Sequence, residues 1–368
     1  MSEKKHGLDA ALLLTIIGLV LFGLIMITSA SSVIAERLRG DIYFYLKHQL
    51  FFGGTVGLGA FLLGLFTPYR FWRKLALPLL VVSLIMLVLV FIPGIGARYG
   101  EASRWVILGP LSFQPTELMK FSFIVYLAAL LEKKGKDIYN FKKSVIPFVV
   151  IVTIISLLIA LQPDIGTLFI ITAIAGAMVF TAGFRLIHLA VLGLSGATVF
   201  ALLFNTARYR LARIIVYLHP ELDPQGIGYQ INQALLAVGT GGIWGLGFGR
   251  SRQKYQYLPE PATDSIFAIT AEELGLVRCL LLLGAFLFIG YRGYRIARYA
   301  PDFFGQLLAC GITSWIILQA FINIASIVAI TPLTGVPLPY ISYGGSALAT
   351  ILFASGILLN ISQYTKQQ

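Results

Sequence analysis

An all-α, polytopic membrane fold follows from three features of the sequence: its apolar content, the length of its apolar runs and the placement of its charges. The chain has 368 residues, of which 58% are hydrophobic and 12% charged, whereas a soluble domain carries about 25% charged residues. The apolar residues come in runs of roughly 18 to 25, not in amphipathic stripes, which reads as spanning helices. The net charge of +12 lies in segments that flank those runs. That is where orientation and anionic lipid require it, so nucleic acid is not an expected partner. Cys279 and Cys310 both fall within apolar runs and read as buried free thiols, not as a disulfide framework.

The spacing predicts about ten transmembrane helices. The first, near 10–31, follows the basic start "MSEKKHG" and is long enough to span, so it reads as a retained helix and not as a cleaved signal. Spans near 48–67 and 73–93 follow. A fourth, near 114–132, carries Glu117 and Lys120. The fifth and sixth, near 145–161 and 165–183, meet at a turn that holds Asp164, and a seventh lies near 186–205. Residues 206–263 then form a loop far longer than a connector needs. Its apolar residues from Tyr229 to Val238 recur at helical spacing and predict a short interfacial helix. The eighth span, near 264–290, opens at Asp264 and contains Glu272, Glu273 and Arg278; spans near 304–328 and 343–363 complete the chain.

An even count puts both termini on one side. Lys4, Lys5, Arg73, Lys133, Lys134, Arg292, Arg295, Arg298 and further cations share that side. The short loops opposite hold only Arg37, Arg39, Lys47, Arg98 and Arg104. The positive-inside rule then places the termini in the cytoplasm and the 206–263 loop outside. The whole of 1–368 reads as one integral membrane domain.

Ionisable groups at membrane depth are costly and point to function or to pairing. Glu117 and Lys120 are three residues apart on one helix face and can pair. An internal salt bridge and a substrate contact are both open readings, and they are compatible. Asp264 stands at a helix start, where Thr263 or Asp264 could serve as the N-cap and where the dipole favours a carboxylate. It is also in the company of Arg208, Arg210, Arg213, Arg250, Arg252 and Lys254. A carboxylate at the membrane boundary amid cations suits a phosphorylated lipid substrate. Glu272 and Glu273 differ by about 100° around a helix, so one is expected to position the site and the other to tie the helix to a neighbour. Arg278 lies about 21 Å deeper than Asp264 along the same helix and requires a carboxylate or a water-filled cavity. The glycines from Gly239 to Gly249 read chiefly as loop geometry and secondarily as a phosphate cradle. Ser342, Tyr343, Gly344 and Gly345 are expected to shape a cavity wall.

Five segments in order carry a resemblance: "RWVILGPLSFQPTELMK" (104–120), "LQPDIGT" (161–167), "GYQINQALLAVGTGGIWGLGFG" (228–249), "YLPEPATDSIFAITAEELG" (257–275) and "TGVPLPYISYGGSAL" (334–348). With ten spans they make the chain similar to the SEDS family of bacterial cell-wall polymerases, the FtsW/RodA group. "SRQKYQYLPE" and "GITSWIILQAFINI" lie nearer the division branch than the elongation branch. Two positions depart from the family pattern: Ser265, where an aromatic is usual, and Arg278, where a small residue is usual.

The resemblance implies a peptidoglycan glycosyltransferase that polymerises lipid II, an undecaprenyl-pyrophosphate-linked substrate, into β-1,4 glycan at the outer face of the bacterial plasma membrane. It maps the essential carboxylate onto Asp264 and the fourth-span pair onto Glu117 and Lys120. The donor is an α-linked pyrophosphate and the product is β-linked, so one inverting displacement is implied. That reaction needs one base for the acceptor hydroxyl and positive charge at the leaving group. Asp264 is the expected base. Arg210, Arg213 and Lys254 are the expected cations, with Glu272 and Ser342 in support. No His or Cys cluster has ligand spacing, so the sequence requires no cofactor, while the pyrophosphate leaves room for a divalent cation (Mg or Mn). The implied protein partners are a class B penicillin-binding protein and other divisome or elongasome membrane proteins. A lipid II flippase and a non-catalytic scaffold are the rival functions. The concentration of charged and Gly/Pro-rich segments on one side argues against a transport path to both sides.

Overall fold

The structure, a computed structural model, describes residues 7–99, 102–108, 111–135, 146–184, 215–223 and 225–365. Helix α1 (Ala10–Arg39) is capped by Asp9, whose side chain accepts from the Leu12 N–H, and ends at Gly40 in the left-handed region. Helix α2 (Phe44–His48) runs through a π-helical stretch (Gln49–Thr55) into α3 (Val56–Phe66). Helices α4 (Tyr69–Lys74) and α5 (Ala76–Leu89) follow, then α6 (Pro115–Lys134), α7 (Ile146–Leu161) and α8 (Ile165–Thr181). The 206–263 loop supplies α9 (Ile227–Gly241). Helices α10 (Ile266–Tyr299), α11 (Phe303–Ile327) and α12 (Gly345–Ser362) end the fold. Each expected span coincides with a helix except that near 186–205, which lies outside the described residues.

Among the described residues, five helices are long and apolar enough to cross a membrane, and α5, α7 and α8 are shorter apolar helices. Helices α11 and α12 form the centre: 72% of the apolar window of each is buried, against 33% for α1 and α10. The outward faces of α1 and α10 instead expose residues such as Leu14, Leu21, Leu281 and Leu287, as lipid-facing helices do.

The ends of the bundle can be told apart. At one end the Asp9 N–H donates to Ser362 Oγ at 3.3 Å and Asp9 pairs with Arg292 at 2.7 Å, so the two terminal segments meet there. Twenty residues along α1, Ser29 bonds Glu273 of α10. At 1.5 Å per residue that separation is about 30 Å, the thickness of a hydrocarbon core. The stretch between these two polar layers is therefore long enough to span a hydrocarbon core, and Asp264 precedes α10 on the side of the Ser29–Glu273 layer away from the termini.

That far end also holds a feature absent from the sequence reading. Strands β1 (Gly96–Tyr99), β2 (Ala102–Leu108) and β3 (Leu111–Phe113) form a small antiparallel sheet in the order β1-β2-β3. It precedes α6 and carries Arg104. The expected short helix at Tyr229–Val238 is present as the longer α9, packed on α10 through its buried residues Ile231, Ala234 and Ala237.

Candidate active site

Helix α10 is not continuous. Gly275 has φ 76° and ψ 177°, which breaks the helix after its first turns. The groups released there are taken up by the glycine-rich chain after α9. Leu246 N–H donates to Glu272 C=O (2.9 Å) and Gly247 N–H to Glu273 C=O (3.0 Å). In return, Leu276 N–H donates to Gly242 C=O (2.9 Å) and Val277 N–H to Ile243 C=O (3.3 Å). Irregular backbone near membrane depth persists only when its polar groups are satisfied in this way. The approach is so close that a Cβ on Gly275 would lie 2.3 Å from Gly245 N. Gly241 and Gly245 therefore serve loop geometry by letting this chain approach the α10 backbone, whereas a Cβ on Gly239, Gly242 or Gly249 would meet nothing within 4 Å.

The break also accounts for Arg278. Its guanidinium donates to Trp244 C=O at 2.8 Å and Leu274 C=O at 3.0 Å, and the side chain is exposed. Two carbonyls stand where the sequence reading expected a carboxylate or a water-filled cavity. An arginine one turn past a helix break can reach both edges of it, which a small residue cannot.

Glu272 and Glu273 organise the same region in different ways. Glu272 accepts from the Ser251 hydroxyl, from Arg252 N–H (2.9 Å) and from Gln253 N–H (3.3 Å), and so shapes the loop. Glu273 accepts from Ser29 Oγ at 2.7 Å and pairs with Lys254 at 3.1 Å, tying α10 to α1. The Lys254 ammonium donates to Glu273, to Ser29 (3.2 Å) and to Gly249 C=O (2.7 Å), and its side chain is 4% exposed. An ammonium has three protons, so in this structure Lys254 is engaged with α1, α10 and its own loop. Arg210 and Arg213 lie outside the described residues.

The five segments that carry the resemblance converge at the far end. Asp264 precedes α10. The cap position is Ser265, not Thr263 or Asp264, and no side chain caps there. Ser265 accepts from Gln230 of α9 at 3.2 Å, a polar contact that an aromatic could not make. Ser342 Oγ donates to Thr263 C=O (2.6 Å) and accepts from Leu338 N–H (2.8 Å), and Tyr343 N–H donates to Ala262 C=O (2.9 Å). Ser342 thus anchors the last loop to the segment bearing Asp264.

The turn at 161–167 packs on that same loop: a Cβ on Gly166 would meet Thr334 C=O at 2.8 Å. Asp164 caps α8 by accepting from Thr167 N–H (3.1 Å) and Thr167 Oγ1 (2.9 Å). Arg104 donates to Pro163 C=O at 2.5 Å. A point one bond from Gly335 Cα lies 3.4 Å from Asp264 Oδ2 and 3.6 Å from Arg104 Nη1, so carboxylate and guanidinium flank one spot. Among the described residues Arg104 is a cation beside Asp264 that sequence reasoning counted only as a loop charge. Arg104 Nε, Thr334 Oγ1 and Asn323 Oδ1 are buried with no hydrogen-bond partner among the described residues.

Glu117 and Lys120 form the expected ion pair, Nζ to Oε1 2.8 Å, with side chains 2% and 0% exposed. Lys120 also donates to Gln319 Oε1 (2.6 Å) and sits 5.0 Å over the Trp315 ring. Gln319 passes the connection on by donating to Pro337 C=O at 2.9 Å. One turn along α11, Asn323 Nδ2 donates to both Val336 C=O and Asp264 C=O at 2.8 Å. The buried pair therefore reaches Asp264 through α11 and the 334–338 loop. Gln319 and Asn323 were not singled out from sequence. Buried amides in an apolar helix were the signal that could have found them.

The comparisons with known proteins agree with this architecture. The FtsW/RodA/SpoVE family model, described as a cell cycle protein, matches residues 10–367. Stage V sporulation protein E of Bacillus subtilis is 43% identical over 100% of both chains. A probable peptidoglycan glycosyltransferase FtsW of Trichlorobacter lovleyi is 42% identical over 96% of this chain and 93% of its own. Among solved structures, a chain of a peptidoglycan synthase complex studied for the coordination of polymerization and crosslinking superposes with a TM-score of 0.79. Its identity is 27%, over 97% of this chain and 98% of its own. RodA, the rod shape determining protein of Thermus thermophilus, gives 0.70 at 27% identity over 98% and 99%. With a family model spanning nearly the whole chain and relatives above 40% identity, this multi-pass membrane protein belongs to the FtsW/RodA/SpoVE family.

Proposed function

We propose that the chain is an inverting peptidoglycan glycosyltransferase that polymerises lipid II at the outer face of the plasma membrane, with Asp264 as general base. The observation that carries this reading is the placement of the Asp264 carboxylate and the Arg104 guanidinium around one spot beside Gly335, just beyond the spanning layer. The names of the relatives support the reaction class.

The chemistry assigns each group a role. The acceptor 4-hydroxyl attacks the anomeric carbon of the lipid-linked donor, its proton passes to Asp264, and the bond from the anomeric carbon to the pyrophosphate oxygen breaks. The electron pair leaves with the polyprenyl pyrophosphate. One carboxylate suffices, because that leaving group needs no protonation. Arg104 takes the part of the charge-stabilising cation, with Arg210 and Arg213 as further candidates. Asn323 and Ser342 hold the backbone on either side of the carboxylate and so fix where it points. A class B penicillin-binding protein would supply the crosslinking step.

Reconstitution of the purified chain with labelled lipid II tests the proposal, with and without such a partner. Glycan strands are the expected product. Translocation of the label without strands would instead make the protein a flippase, and no turnover under either condition would leave it a scaffold.

A further inference from the structure

A second site lies at the other end of the molecule. Where the termini meet, a cavity of about 410 Å³ opens between the start of α1, the last turns of α10 and the end of α12. Its polar lining is Asp9, Arg292, Arg295, Tyr299, Ser362 and Thr365. Most of these groups are already engaged. Asp9 accepts from Leu12 N–H and pairs with Arg292. Ser362 donates to Leu359 C=O and accepts from Asp9 N–H, and Thr365 donates to Ser362 C=O. Arg295 differs: among the described residues it has neither a hydrogen-bond nor an ion-pair partner. Asp9 and Arg292 cancel, so among the described lining residues one positive charge is left uncompensated, on a guanidinium with five donors.

Its depth identifies the kind of ligand. Asp9 and Ser29 are about 30 Å apart along α1, which puts the cavity at the headgroup level of a bilayer. The helices leading away from it expose apolar and aromatic side chains, including Leu14 and Ile17 on α1 and Leu287 and Tyr291 on α10. A ligand with one negative charge at the cavity and acyl chains along those faces satisfies both halves of the surface. We propose that this cavity binds the phosphodiester headgroup of an anionic phospholipid, with Arg295 as the residue that holds the phosphate. Bound lipid would clamp α1 to α10 at the end opposite the Ser29–Glu273 bond. The proposal is independent of the reaction at Asp264. Basic pockets at headgroup level are suited to such lipids, and the apolar faces that lead away from the cavity give acyl chains a surface that a soluble phosphate would not use.

Native mass spectrometry of the full-length, detergent-purified chain tests this with phosphatidylglycerol, phosphatidylcholine and inorganic phosphate as probes. One tightly retained phosphatidylglycerol is expected. Arg295→Ala should weaken its retention about tenfold, the scale of one charge-assisted hydrogen bond, while Lys74→Ala, an exposed cation outside the cavity lining, should leave it unchanged. Arg295→Gln keeps polarity without charge; it should show the same loss and replaces the alanine variant if that fails to fold. Equal retention of phosphatidylcholine, unchanged retention in the Arg295 variants, or displacement of the lipid by millimolar inorganic phosphate would each overturn the proposal, the last by identifying a soluble phosphate as the occupant.

Discussion

Replacing Lys120 with alanine removes more than a charge. The ammonium bonds Glu117 at 2.8 Å and Gln319 at 2.6 Å and lies over Trp315, all inside the bundle. Its loss leaves the Glu117 carboxylate buried and uncompensated, and breaking a buried pair from one side costs about 3–5 kcal/mol. The lost side-chain volume adds a cavity term of the same sign. Removing both charges is a different perturbation. Lys120→Met with Glu117→Gln keeps most of the volume and leaves no buried ion, so it should cost far less than Lys120→Ala; such replacements are often neutral. A double-mutant cycle on thermal and denaturant unfolding in detergent measures the difference. Activity assayed alongside separates stability from function, because Gln319 loses one of its two donors and its hold on Pro337 loosens. A Lys120→Ala variant within about 1 kcal/mol of wild type would refute the reasoning, as would a double variant no better than the single one.

Asn323→Ala releases Asp264 C=O and Val336 C=O from one amide. Turnover should fall at least about tenfold with little change in KM, since misplacing a reacting group by about 1 Å can cost 10²-fold; steady-state kinetics on lipid II checks it. Gly275→Ala places a Cβ 2.3 Å from Gly245 N at a φ of 76°, so it should destabilise by about 3 kcal/mol or more and lower the yield of monodisperse protein. Asp302 gives a pH dependence. Burial raises its pKa, but Gly305 N–H, the Tyr69 hydroxyl and Arg70 outweigh burial, and the net shift is downward. A carboxyl depressed in the folded state stabilises above its unfolded pKa of about 3.9 and loses that contribution as pH falls through the folded value. Melting temperatures of wild type should therefore fall below about pH 4 more steeply than those of Asp302→Asn.

Helix existence was legible because the apolar runs are long and bounded by cations, and no competing period interrupts them. The sheet that carries Arg104 was not, because its strands are short and sit beside Gly and Pro in a loop. The eighth span was read as one helix. Gly275 inside an apolar run is ordinary in a membrane helix, and only the partner loop at Gly241–Gly249 reveals that it is a break. Arg278 had no sequence account for the same reason: its partners are carbonyls, which no side-chain pattern encodes. Lys254 was grouped with the site by its proximity to other cations in the chain. Its pairing with Glu273 and Ser29, which ties the loop to α1 and α10, was not legible from that proximity. Asp9, Asp164 and Asp302 also precede apolar helices and cap them, so position alone did not single out Asp264; the cations near it in the sequence and the segment that carries the family resemblance did.

The central claim is that Asp264 takes the acceptor proton, and Asp264→Asn tests it most directly. The amide keeps the shape and polarity of the side chain but has no basic oxygen. Helix integrity should survive, because the cap position of α10 is Ser265 and the backbone on either side of the carboxylate is held by Asn323 and Ser342. Glycan synthesis from lipid II by the folded, purified Asn variant should fall by at least about 10²-fold, the lower end for a lost general base, with its melting temperature near that of wild type. Near-wild-type synthesis by that variant would contradict the assignment.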